Sequence, residues 1–234
     1  MNLRSMKKVV LLLCTLLLFI QQGMAQVGTK EVDTELWFKA GVDFKLAPKW
    51  EVSAEEQLRF DNNIGEIKNF HTELGLKFDV TDQLDLRFAT RFISRKTNSA
   101  EISFDQLFRY QVGVAYKHRW NQIEFKHRAV FQNRNDPELS EMQGDIPERY
   151  FRWRTGMEYK IKDWKYDPIF RVEYFGALNG AQAGTDDTIR FDFGTERKYN
   201  GIGEFGFFYR YETTLNAIDT SIAHIINFRY AYSF

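Results

Sequence analysis

The residues able to do chemistry in this 234-residue chain are mostly charged, and their spacing argues against a catalytic centre. Glu55 and Glu73 would form an acid/base couple if folding brought them together, because close carboxylates perturb each other's proton affinity. With Arg91 alongside, an ordinary ion pair is the simpler outcome. Four histidines are present, His71, His118, His127 and His224. On the strand pattern described below, only His71 points to the polar side. Its neighbours there are Gln57 and Glu55, and no serine completes a nucleophile–base arrangement. His118 is expected in a turn, and His127 and His224 on the apolar face. Asp61-Asn62-Asn63 and Asp186-Asp187 offer oxygen donors without the full spacing of a calcium loop. No cysteine or histidine cluster suits a transition metal, and no glycine-rich phosphate loop occurs. Neither a catalytic residue, a cofactor nor a metal is therefore expected.

The elements that must position these charges alternate with period two. Leu36, Phe38, Ala40, Val42, Phe44 and Leu46 fall on one face of the first run, with Glu35, Trp37, Lys39, Asp43 and Lys45 on the other. Such alternation marks a strand with one apolar face. It predicts strands at about 34–46, 50–60, 67–80, 84–95, 103–117, 121–134, 149–161, 166–176, 188–198, 203–212 and 221–234. Most exceed the ordinary globular strand of roughly 5–6 residues. Connections alternate between tight turns (47–49, 81–83, 118–120, 162–165, 199–202) and longer polar loops (61–66, 96–102, 135–148, 177–187, 213–220). Tight turns on one rim and long loops on the other are the outer-membrane arrangement.

Composition agrees. Aromatic residues make up 16% of the chain, with 22 Phe and 11 Tyr, while 27% is charged and mean hydropathy is negative. A membrane barrel reconciles these figures, since its outer face is apolar and aromatic and its interior polar. The start of the chain reads as an address. Arg4, Lys7 and Lys8 precede an apolar run from Val9 to Ile20, followed by Gly23-Met24-Ala25. The run is too short to span a bilayer as a helix, so residues 1–25 are expected to be a cleaved signal peptide. Residues 26–234 are then one barrel domain without cysteine. The chain balances 32 basic and 32 acidic residues; loss of three basic residues with the leader leaves −3, which argues against nucleic-acid binding. The expected location is the cell outer membrane, with its lipid as partner and the barrel as a monomer.

The last strand sets Phe228, Tyr230, Tyr232 and Phe234 on one face. This resembles the C-terminal signal by which the barrel assembly machinery reads outer-membrane proteins. Several stretches together resemble a family of uncharacterised Bacteroidetes outer-membrane barrels, domain of unknown function 2490. They are the Trp37 strand, Ser53-Ala54-Glu55-Glu56-Gln57-Leu58-Arg59-Phe60, the arginine-rich strand 84–95, Asp167-Pro168, and Tyr230-Ala231-Tyr232-Ser233-Phe234. The resemblance covers residues 26–234. It implies an all-β, antiparallel transmembrane barrel and carries no catalytic residues with it.

Reflecting each hairpin about its midpoint predicts a belt of inward charges: Glu55, Glu73, Arg91, Arg109, Arg128, Arg154, Glu173, Arg190 and Arg210. Inside a narrow barrel these must pair or stay hydrated. The belt reads either as an ion-pair plug holding the strands together or as an arginine-lined passage for an anionic solute. The alternatives are a barrel-embedded lipid-modifying enzyme using Glu55, Glu73 and His71, and a surface-binding barrel using loop 135–148. Glu56 is anomalous: it lies on the apolar face midway along its strand, implying a local bulge or a protein contact. Strand parity is also anomalous. Eleven strands close with a parallel pair, whereas bacterial barrels have even counts. The expectation is therefore 10–12 strands; a missed strand, or residues 26–33 threading the lumen, would each escape the parity problem, and the sequence leaves the closure open.

Overall fold

The computed structural model describes residues 30–97, 103–137, 147–179, 187–215, 217 and 219–234. The leader at 1–25, Asp186 and most of loop 135–148 lie outside the described residues. Eleven strands form one closed barrel: β1 (Lys30–Ala47), β2 (Trp50–Asp61), β3 (Glu66–Asp79), β4 (Leu84–Lys96), β5 (Phe104–Trp120), β6 (Ile123–Asn135), β7 (Glu148–Tyr159), β8 (Pro168–Ala177), β9 (Asp187–Tyr199), β10 (Gly203–Leu215) and β11 (Thr220–Ser233). No described helix is long and apolar enough to cross a membrane; the strands do so. Their outward positions expose large apolar side chains, among them Phe88, Phe92, Val112, Trp153 and Phe193. Such a belt is stable against lipid and not against water.

The closure corrects both escapes from the parity problem. β1 pairs with β11 in parallel over fourteen positions, from Lys30↔Thr220 to Asp43↔Ser233. Among the described residues no extra strand is inserted, and residues 30–33 extend β1 instead of threading the lumen; residues 26–29 lie outside the described residues. Ten connections that alternate between rims leave β1 and β11 running the same way, so an odd count must contain one parallel pair. Both ends of the seam are tied. The Phe234 N–H donates to the Asp43 carbonyl at 3.0 Å. At the opposite rim Asp33 accepts from the backbone N–H groups of Asn62 (3.1 Å) and Asn63 (2.7 Å). Asn62 and Asn63 have φ near +50°, a conformation asparagine tolerates in tight turns.

Local corrections follow from turn chemistry. β5 and β6 run on to Trp120↔Ile123 around Asn121, whose φ is 52°, so His118 lies in β5 and not in a turn. There its ring stacks with Phe125 and His127 on the apolar face. The β7–β8 connection is longer than expected, spanning 160–167. β2 carries an irregularity at Arg59/Phe60, not at Glu56, which keeps unbroken register with Ala40 and Thr72. Glu56 therefore points outward, accepting a 2.7 Å hydrogen bond from Thr72 Oγ1.

Tilt is visible in the register. From Trp50 at the turn rim, successive outward partners run Phe78, Leu86, Val114, Ala129, Trp153, Tyr174, Ile189, Thr213 and Ile222 to Val32 near the loop rim. One circuit of direct partners thus climbs most of the strand length, as strand tilt in a closed barrel requires.

Candidate functional site: a cationic cavity inside the barrel

The alternation that turns aromatic rings outward turns the charges inward. The register places Glu55 opposite Glu73, Glu73 opposite Arg91, and Arg91 opposite Arg109. It also places Arg128 opposite Arg154, Arg154 opposite Glu173, and Glu173 opposite Arg190. Two expected pairings differ. Arg109 faces Arg134, with Arg128 facing Ala115, because the β5–β6 turn lies nearer the rim than its sequence suggests. Arg190 faces Glu212, and Arg210 faces Asp192.

All nine belt residues nevertheless line one cavity of about 310 Å³ at mid-height in the barrel. Both mispairings step towards the turn rim, by six residues at β5–β6 and by two at β9–β10. Direct partners climb the barrel, and the six-residue slip at β5–β6 brings the path back down.

Twelve cationic side chains line this cavity: Lys39, Arg59, Arg91, Arg109, Arg128, Arg134, Arg152, Arg154, Arg171, Arg190, Arg210 and Arg229. Five carboxylates face them: Glu55, Glu73, Glu173, Asp192 and Glu212. Each carboxylate is taken. Glu73 accepts from Arg91 at 2.5 Å and Arg109 at 3.1 Å. Asp192 accepts a two-point bond from Arg210 at 2.6 and 2.9 Å. Glu173 accepts from Arg152 at 2.8 Å. Glu55 pairs with Lys39 and Glu212 with Arg190. Glu55 and Glu73 are thus each held by cations, the ion-pair outcome and not the acid/base couple. His71 is 2% exposed, and neither ring nitrogen has a hydrogen-bond partner.

Three inward aromatic rings carry part of the excess cation. Trp37 is 2% exposed, with the Arg59, Arg210 and Arg190 guanidinium carbons 3.7, 4.9 and 5.8 Å from its ring centre. Its indole N–H donates to Glu35 at 2.7 Å, and Lys68 donates to the other Glu35 oxygen at 2.6 Å. Phe175 lies under Arg190 and Arg152, and Phe208 under Arg171. Cation–π contact is worth about 0.5–2 kcal/mol, so the rings offset repulsion between guanidinium groups without neutralising them. Alternation alone would place Arg59, Arg152, Glu212 and Trp37 inward. The single-residue-per-strand belt passed over them.

Towards the turn rim the interior widens into a vestibule of about 970 Å³. Its charges are nearly balanced. Glu196 pairs with Arg171 at 3.0 Å and with Arg229. Glu158 pairs with Lys126 at 3.3 Å and Lys160 at 2.5 Å. In the turn beyond β7, desolvation opposes the Lys160 charge, but hydrogen bonds to Glu158 and Asp167 outweigh it and raise its proton affinity. Among the described residues, no group of three or more His, Cys, Asp or Glu side chains could hold a metal ion.

A closed barrel with an aromatic outer belt and charged interior defines a transmembrane β-barrel. Within that class the chain belongs to the family described as protein of unknown function (DUF2490), whose model matches residues 34–221. Two solved structures are similar. One is a NanC porin, with TM-score 0.47 and 12% identity over 78% of this chain and 87% of that one. The other is the CymD monoaromatic hydrocarbon channel, with TM-score 0.40 and 10% identity over 73% and 66%. None of the curated proteins compared with the chain matches it.

Proposed function

We propose that this protein is a non-enzymatic barrel of the bacterial outer membrane whose arginine-rich interior admits small anionic solutes. One observation carries the reading: twelve cationic side chains surround a cavity lined by five carboxylates, and counting Glu148 and Glu196 just beyond it still leaves cations in excess. A plug that served stability alone would balance its charges, because uncompensated buried charge is costly. A surplus of guanidinium groups is the arrangement that lowers the cost of bringing a carboxylate or phosphate into a narrow passage. The engagement of Glu55 and Glu73 by cations argues against acid/base chemistry on lipid. The row of Phe228, Tyr230, Tyr232 and Phe234 supports recognition by the assembly machinery. The barrel acts as a monomer in lipid.

Planar bilayers test the reading. In a KCl gradient the purified barrel is expected to give small stepwise currents whose reversal potential favours chloride. Arg91→Ala, in the cavity wall, is expected to weaken that preference. Cation preference, or lipid hydrolysis without conductance, would sink the proposal.

A further inference from the structure

Nine of the twelve cavity cations have a carboxylate partner: six share the five lining carboxylates, Arg134 is paired with Glu148, and Arg171 and Arg229 are held by Glu196. Arg59 lies over Trp37, its guanidinium carbon 3.7 Å from the ring centre, and donates to Gln57 at 3.0 Å. Arg128 and Arg154 remain. They face each other across β6 and β7. Among the described residues neither has a carboxylate within 4.0 Å, and the Arg128 Nε is buried without an acceptor. Glu173 is the register partner of Arg154 but is engaged by Arg152.

We propose that Arg128 and Arg154 form a seat for one small, doubly charged oxyanion, inorganic phosphate or a phosphate monoester, that arrives from the turn-side vestibule. Both residues line the mid-barrel cavity and the vestibule, so the seat lies at the neck between them. Space is provided there by small inward residues: Ala115 faces Arg128, and Gly156 lies two positions beyond Arg154. The other side is filled, with Trp37 at 2% and Ile225 at 0% exposure. Two forked guanidinium groups match the oxygens of phosphate with charge-assisted hydrogen bonds, and two positive charges match a phosphate dianion. A cavity of about 310 Å³ sits at the lower end of small-molecule pockets, roughly 300–1,000 Å³, which suits a phosphate monoester and not an oligosaccharide.

The inference rests on the anion reading above and assigns it an address. Its test is calorimetric titration of inorganic phosphate into the folded barrel in detergent, at fixed ionic strength. Wild type is expected to bind saturably. R128Q and R154Q each weaken binding about tenfold or more, since each removes a charge-assisted hydrogen-bonding pair. Arg95→Gln, at the loop rim, leaves binding unchanged. Heat-modifiable gel migration checks folding. If a Gln variant fails to fold, R128K keeps the charge but not the fork, and intermediate affinity is expected. Wild-type affinity in R128Q and R154Q, or in R128K should those not fold, overturns the seat while chloride preference in bilayers still stands. Absence of saturable phosphate binding by wild type also overturns the seat, and tighter binding of succinate than phosphate overturns the ligand class. Cation preference in bilayers overturns both readings.

Discussion

The two halves of the barrel interior share strands, alternation and charge, yet they are packed differently. Towards the loop rim the inward positions hold Trp37, His71, Ile93, Leu107 and Ile225, all under 10% exposed. Towards the turn rim they include Gly41, Gly75, Gly113, Ala115 and Gly156, opposite charged or small partners. Lys117, Lys126 and Lys198 there are exposed. The size of the inward side chain divides the lumen into a packed half and a vestibule. A barrel of this strand number can be filled or hollow at the same diameter, depending on whether glycine or tryptophan occupies the inward position.

The largest test of that contrast removes the bulk from the packed half. Trp37→Ala deletes a buried ring and the surface on which Arg59, Arg190 and Arg210 rest. It is expected to cost about 3–5 kcal/mol in urea unfolding and to raise single-channel conductance. Unchanged conductance would show that the narrow point lies elsewhere. Glu73→Gln comes next. It removes the counter-charge shared by Arg91 and Arg109, although the amide oxygen still accepts one hydrogen bond. A loss of about 2 kcal/mol is expected by the same measurement.

The fold was legible because it rests on period two, which no turn detail can erase. The site was half legible. Face assignment separates the arginines from the aromatic rings, since slipping a strand by one residue would turn Phe108 and Val112 into the lumen. Pairing was harder. Asn121 decides the β5–β6 register through one positive φ, and centring the turn three residues early moved the partner of Arg109 by six, from Arg134 to Arg128. Which arginine goes unpaired was not legible. Arg152 and Arg154 look equivalent in sequence, and only the direction of the Glu173 carboxylate separates them. The parallel seam was implied by parity, but the length of β1 before Thr34 has no strong alternation to announce it.

A smaller effect is expected on the outer surface, where the interior contrast should not reach. Glu56 presents a carboxylate to lipid midway along β2, relieved by one hydrogen bond from Thr72. Charged side chains on the lipid face destabilise by up to roughly 2–4 kcal/mol, acidic ones less. Glu56→Leu is therefore expected to raise stability by under about 2 kcal/mol, with the oligomeric state unchanged in light scattering. Dissociation of a native oligomer on this substitution would reveal a protein contact at Glu56 instead.

The smallest effect is expected where the vestibule meets water. Arg119 donates to Glu124 at 3.1 Å, a geometry like that of Arg109 with Glu73. Their surroundings differ: the Arg119 side chain is 60% exposed and that of Arg109 10%. In water an ion pair gains little, because the dielectric screens the attraction and two flexible side chains lose freedom. Arg119→Gln is accordingly expected to change unfolding free energy by less than about 0.5 kcal/mol. Any change should shrink further as salt rises. A loss approaching that of Glu73→Gln would mean that the turn rim is as enclosed as mid-barrel, and the distinction between packed half and vestibule would fail at its open end.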